Sequence, residues 1–233
     1  MKKYHKVFRN NDSEHIAFLC RVINFIEDVY EDSECSDIKV SLNELNSFKV
    51  VLTPFNCKYS IRDSIDIFSK LHNVERIEID YDRIDSISYN YIYDYAINRY
   101  RETLHYQMLR YLTRTITNGY EYYLGVLFNG DCFILEGEKN RVTAPRIPQC
   151  ISAHTHLSNY PYPSPRDIDE IIEIFIERGL GHVIVAKTKS MAIYRIKPLT
   201  DIDLESIKEL KNSDLKKLIE YLNKTNIAKI SFF

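Results

Sequence analysis

The order of apolar runs after residue 91 constrains the fold of this chain more than any other feature. From Tyr93, the residues Ile97, Tyr100, Leu104, Met108, Tyr111, Leu112 and Ile116 recur at steps of three and four, which predicts one long helix closed at Gly119. "YYLGVLF" and "CFILEG" then flank Asn129-Gly130-Asp131, a hairpin signal. "CISAHTH" reads as a strand. "SPRDIDEIIEIFIERGLG" reads as a helix with Ile168, Ile171, Ile172, Phe175 and Ile176 turned inward, and "HVIVAKT" and "MAIYRI" as a last pair of strands. Helix, hairpin, strand, helix and two strands in that order imply a sheet with helices packed against it. After Pro198, "DIDLESIKELKNSDLKKLIEYLNK" supplies one or two amphipathic helices, a surface for a partner or for a homodimer.

The first ninety residues read as a small α/β unit. "KYHKVF", "IKVSL", "FKVVLTPF" and "RIEIDY" are strand-like, and two helices, "NDSEHIAFLCRVINFIEDVY" and "SIRDSIDIFSKLHNV", lie among them, the first capped by Asp12 or Ser13. The expected class is therefore α/β of the α+β kind. Residues 1–90 would form an N-terminal domain of unassigned role, and residues 91–233 a second domain with a central sheet, flanking helices and the C-terminal helices.

Composition narrows the function classes. The chain has 233 residues, 45% hydrophobic and 27% charged, as expected of a globular protein. A formal charge of −2 argues against a general nucleic-acid binder, since phosphate affinity needs a basic excess. The tyrosines near the long helix, such as Tyr89, Tyr91 and Tyr95, read as packing surface rather than base-stacking platforms, because no basic stripe accompanies them. No apolar run approaches the roughly 20 residues that span a bilayer, and the basic N-terminus lacks an apolar signal core. Cys20, Cys35, Cys57, Cys132 and Cys150 are odd in number, scattered and never in a C-x-x-C pair. That usage suits a reducing cytoplasm and predicts neither a disulfide frame nor a structural zinc site.

The chemistry concentrates in "SAHTHLSNYPYPSPRD". Side chains at i and i+2 of a strand project from one face, so His154 and His156 can converge on one metal ion about 2.0–2.1 Å from each. Asp167 is the local candidate for a third ligand, carried back over the strand end by a loop stiffened by Pro161, Pro163 and Pro165. Ser164-Pro165-Arg166-Asp167 is also a good helix start, with serine as cap, proline first and an acid third. The two roles of Asp167 are compatible, because a helix start can aim a carboxylate at a metal. Read without the aspartate, the His-x-His pair is as well explained by two polar side chains on a solvent face.

The stretch resembles the JAMM motif of the MPN-plus (JAB) zinc metalloproteases: His-x-His, seven residues, Ser, two residues, Asp, met here by His154, His156, Ser164 and Asp167. The resemblance covers about Tyr91 to Lys197. It implies a JAB/MPN-like fold and an isopeptidase or peptidase that hydrolyses an amide bond, commonly at the C-terminus of a ubiquitin-like protein or in its conjugate. It also implies Zn²⁺ held by His154, His156 and Asp167, with its bound water lowered toward a pKa of about 7. Glu121, in "EYYLGVLFNG", is the implied general base, and the Ser164 hydroxyl the implied donor to the oxyanion. The family's Glu-x-x-Gly spacing is one residue longer here, so the strand is bulged at Glu121 or the base lies elsewhere on the hairpin, at Glu136 or Glu138. Leu157 stands where the family commonly has proline. Little room between Glu121 and His154 remains for a substrate-gripping insertion, which gives that role to residues 1–90.

Two other classes stand beside the enzyme: a catalytically silent MPN scaffold and a DNA-associated relative of the RadC group. Scaffolds usually lack a metal ligand, and the absence of a basic patch disfavours DNA. The remaining histidines, His5, His15, His72 and His105, lie outside the motif, and His182 reads as a surface or hydrogen-bonded residue at the head of a strand. Cys132 and Cys150 read as buried, inert thiols.

Overall fold

A computed structural model of the chain describes residues 3–139, 142–143, 146–211 and 215–233. The first part comprises β1 (Lys3–Phe8), α1 (Asn11–Ser33), β2 (Asp37–Val40), α2 (Leu42–Leu45), β3 (Val50–Phe55), α3 (Ile61–His72), β4 (Ile77–Ile79) and β5 (Ile87–Ser88). Then come α4 (Tyr91–Glu102), α5 (His105–Asn118), β6 (Tyr120–Val126), β7 (Cys132–Lys139) and β8 (Ile151–Thr155). The chain continues through α6 (Pro165–Ile176), β9 (Gly181–Val185), β10 (Ser190–Arg195), α7 (Asp201–Lys211), α8 (Leu215–Lys224) and β11 (Ala228–Phe232).

The strands form two mixed sheets, one of seven strands in the order β1-β7-β6-β8-β9-β10-β11 and one of four in the order β4-β3-β2-β5. The protein is thus mixed α/β. The small sheet is built from residues of the first ninety, whereas β1 leaves that segment and pairs antiparallel with β7 in the large sheet. α1 follows it into the core. Its capping box is made by Asn10, not by Asp12 or Ser13 as the sequence suggested: the Asn10 side chain accepts from the Ser13 amide at 2.9 Å. From Ile16 to Val29, α1 is buried on nearly every side, as expected of a helix lodged between other elements. Removing residues 1–90 would therefore strip the large sheet of an edge strand and of a helix that covers it.

The large sheet separates two layers of helices. Ile151 and Ala153 of β8 and Val183 and Val185 of β9 enter one core with α1, α4 and α5. Ile184 of β9 and Met191 and Ile193 of β10 enter another with Ile168, Ile171, Ile172 and Phe175 of α6, Ile207 of α7 and Leu222 of α8. The period of two in a strand decides what each face receives. On β8 it sends Ser152 and His154 to the α6 side.

Three expectations are corrected. The long helix is two helices, broken at Thr103, where the Thr103 hydroxyl donates to the Arg99 carbonyl, a back-bond that bends helices. The apolar stripe nevertheless runs through the break, since Ile97, Tyr100, Leu104, Met108 and Leu112 are all buried. The pattern recorded burial, not helix continuity. The cysteines are not all free: Cys35 and Cys57 form a disulfide. Asp37 pairs with Phe55 across β2 and β3, and the same antiparallel register continued two residues outward sets position 35 opposite position 57. Closing a loop of 22 residues stabilises a fold by about 3 kcal/mol in the chain-entropy description. Cys20, Cys132 and Cys150 are free and buried. Finally, "AKISF" forms β11, a strand the sequence reading did not place.

Candidate metal centre

The site is assembled where β6, β8 and β9 meet the start of α6. β6 and β8 pair antiparallel with Tyr123 opposite His154. Continuing that register by two residues brings Glu121 level with His156. The His156 amide donates to the Val185 carbonyl at 2.8 Å, so the ladder holds this histidine in line beyond the end of β8.

α6 begins on Ser164, with Pro165 in its first turn. The Ser164 side chain accepts from the Asp167 amide at 3.4 Å, and the Asp167 carboxylate accepts from the Ser164 amide at 2.6 Å. This reciprocal cap turns Asp167 toward the strand rather than into solvent. His154 Nε2 stands 3.3 Å from Asp167 Oδ1, and His156 Nε2 stands 3.5 Å from Asp167 Oδ2. Ligands about 2.0–2.1 Å from a tetrahedral zinc lie about 3.3 Å from one another, so these separations fit one ion. His154, His156 and Asp167 bring one ligand atom each within 4.8 Å of the others, a group that could hold a metal ion.

The donor chemistry fits as well. His154 is 2% exposed, and its Nε2 has no hydrogen-bond partner among the described residues. Burial, and then the neighbouring His182, push His154 down to about 3, so its imidazole is neutral as a ligand must be. Burial would also lower His156, but the Asp167 carboxylate and then Glu121 outweigh it and hold His156 above its ordinary value. Burial opposes the ionised form of Asp167 too. The hydrogen bond with His156, and then the neighbouring His154 and His182 rings, overcome it and keep this carboxyl well below the usual range.

Glu121 is 8% exposed and shares with His154, His156, Ser164 and Asp167 the lining of a cleft of about 510 Å³. Burial is the main cause that lifts its pKa to about 7, with Asp167 adding to it and His156 and the Val142 backbone opposing. The register of β6 against β7 shifts between Tyr120 and Tyr122, where β7 carries the extra residue and Gly137 and Glu138 together face Glu121. Bulges re-aim side chains beside active sites. β6 itself pairs one for one from Tyr122 to Val126, so no bulge in that strand accounts for the long Glu-to-Gly spacing. Gly125 has its own reason to be glycine, because a Cβ there would lie 2.1 Å from Gln149 Oε1 and 2.3 Å from the Phe133 ring. Glu136 and Glu138 do not line the cleft. Glu136 instead accepts from the Tyr122 hydroxyl at 3.0 Å, and Glu138 is exposed.

Two residues that the sequence reading left out of the site stand directly behind it. His182 is fully buried, and its Nε2 is 2.6 Å from His154 Nδ1. Its Nδ1 is 2.5 Å from Ser152 Oγ, and the Ser152 hydroxyl donates to Glu170 Oε1 at 3.1 Å. Burial lowers His182 to about 4 and raises Glu170. A sequence signal for each exists in retrospect. His182 is the one polar side chain in the buried strand "GHVIV", and Glu170 follows Asp167 by three residues on one helix face.

No model of a known protein family, no curated protein and no solved structure matches this chain. What the fold and site define is a class: a mixed α/β protein whose central sheet carries two imidazoles and a carboxylate placed to hold a metal ion.

Proposed function

We propose that the chain is a zinc-dependent amide hydrolase with a JAB/MPN-like catalytic region, an isopeptidase or peptidase that cuts at the C-terminus of a ubiquitin-like protein. One observation carries the reading: His154, His156 and Asp167 converge on the same cleft as a buried carboxylate, Glu121, in the arrangement the motif resemblance implies. His154, His156 and Asp167 would hold Zn²⁺, which would supply Lewis acidity for the scissile carbonyl and for lowering the pKa of the attacking water toward about 7.

The chain's own residues divide the remaining work. Glu121 takes a proton from the attacking water and delivers it to the leaving amine, and a carboxyl lifted to about 7 is suited to both transfers near neutral pH. The helix cap uses a lone pair of Ser164 Oγ, which leaves the hydroxyl proton to donate to the developing oxyanion. His156 and Asp167 are oriented toward the same point by the strand ladder and the helix start. The substrate-recognition role falls to the first ninety residues in this reading, and the C-terminal helices are a surface for a partner or for a homodimer.

No helix among the described residues is long and apolar enough to cross a membrane. A cytoplasmic location belongs to the proposal on one condition, that the Cys35–Cys57 bond is reduced there, since disulfides persist mainly in oxidising compartments.

The test is cleavage of a ubiquitin-like conjugate by the full chain. Glu121→Gln is expected to keep zinc and lose roughly 10²–10⁴-fold in turnover. Full activity in this variant would remove Glu121 from the mechanism. Zinc bound at one ion per chain with no cleavage of isopeptide or linear substrates would favour the silent scaffold instead.

A further inference from the structure

We propose that His182 is a positioning residue of the metal centre, which fixes the tautomer and ring orientation of His154 through a hydrogen-bonded chain ending on Glu170. The inference rests on the metal reading above. Its starting point is the unpartnered Nε2 of His154, which faces a carboxylate oxygen of Asp167 at 3.3 Å without a hydrogen bond. A neutral imidazole carries one proton, and a ring that ligates through Nε2 carries it on Nδ1. That N–H then donates to His182 Nε2, 2.6 Å away. The His182 proton is thereby placed on Nδ1, which donates to Ser152 Oγ at 2.5 Å. The Ser152 hydroxyl has its proton free to donate to Glu170 Oε1 at 3.1 Å, and the chain ends on an acceptor. Every link has one donor and one acceptor, and the direction of the whole chain is set by the lone pair presented at Nε2.

The fold makes this chain rigid. Ser152 and His182 are opposite each other in the parallel β8–β9 ladder, so His182 reaches along the sheet to the next inward residue of β8, His154. The two rings stack with centroids 4.8 Å apart and planes 29° apart. Glu170 comes from α6, the helix whose first turn supplies Asp167. One helix therefore delivers a ligand at its start and the anchor of another ligand's support one turn later. Such partners behind a metal-binding histidine typically account for 10–100-fold in metal affinity.

The experiment is a zinc titration of the full chain in competition with a chromophoric chelator, on wild type, His182→Leu and His182→Gln, with visible spectra of the Co²⁺ forms alongside. Leucine fills the volume and offers no hydrogen bond. Glutamine can accept from His154 with its carbonyl oxygen and donate to Ser152 with its amide. His182→Leu is expected to weaken zinc by roughly 10–100-fold and shift the Co²⁺ bands, and His182→Gln to restore affinity to within a few-fold. Should the leucine variant not fold, Ser152→Ala takes its place and is expected to weaken zinc where His182→Gln does not. Wild-type affinity in His182→Leu overturns the proposal while leaving the metal centre intact, and equal losses in the leucine and glutamine variants overturn it in favour of packing. A wild-type chain that takes up no zinc overturns the metal reading and this inference with it.

Discussion

The cluster around Arg195 and the cluster around His154 are both polar assemblies inside one fold, and both join a strand of the large sheet to residues of α6 or the turn after it. Around Arg195, whose side chain is 2% exposed, every neighbour answers a donor. The guanidinium donates to Glu27, to the Asn24 side chain and to the carbonyls of Gly179 and Arg178. Glu27 also accepts from the Tyr93 hydroxyl and from Arg178. Around His154 the network runs through His182, Ser152 and Glu170 on one side, and on the other His154 Nε2 lies 3.3 Å from Asp167 Oδ1 without a hydrogen-bond partner among the described residues. The closed cluster holds α1, α4, β10 and the α6–β9 turn together, and the open one ends on a group that could hold a metal ion. An unpartnered nitrogen alone does not make a site. His105 Nδ1 is also buried without a partner, and no set of further ligands converges on it among the described residues.

The largest expected effect is on the closed side. Arg195→Met leaves Glu27 buried without its main counter-charge, which should cost about 3–5 kcal/mol of a total of about 5–15. Urea denaturation measures it, and the folded fraction should bind zinc as wild type does. A loss below about 1 kcal/mol would mean that this cluster is not the brace it resembles. On the open side, Ser164→Gly separates two roles of one side chain. Glycine caps a helix only a few tenths of a kcal/mol worse than serine, while loss of an oxyanion donor costs about 2.7–4 kcal/mol in turnover. The variant should therefore keep its stability and lose activity, and the opposite outcome would leave Ser164 as a cap only.

The smallest effect sharpens the contrast with His105. Burial, with Arg101 adding to it, lowers His105 to about 4, so the unfolded chain binds this proton first as pH falls. The stability it contributes is present above about pH 6.5 and is lost toward pH 4, by about 1 kcal/mol between pH 6.5 and 5.5. His105→Gln should flatten that slope, and the difference between wild type and variant should be the same with and without zinc. A wild-type-to-variant difference that zinc abolishes would mean that a cation reaches His105 as well.

What the sequence disclosed follows the range of the interactions. His154 and His156 share a face because a strand has a period of two, and Ser164 and Asp167 cap a helix within one turn, so the grouping of His154, His156 and Asp167 was legible from spacing. Glu121 was half legible. Its place level with His156 depends on the register of β6 against β8, a pairing that spacing does not encode. His182 was set aside, because its contact with His154 exists only once two parallel strands joined by α6 are in register. The disulfide escaped for the same reason, its partners being matched by the β2–β3 ladder. The break at Thr103 was hidden by an apolar stripe that continues across it.

The central claim is that two imidazoles and one carboxylate gather a single divalent ion. Metal analysis of the full chain after zinc loading and desalting tests it most directly. About one zinc per chain in wild type, and none in His156→Ala with its fold retained, is the predicted result. A wild-type chain that stays metal-free, or a His156→Ala chain that keeps its zinc, would contradict it.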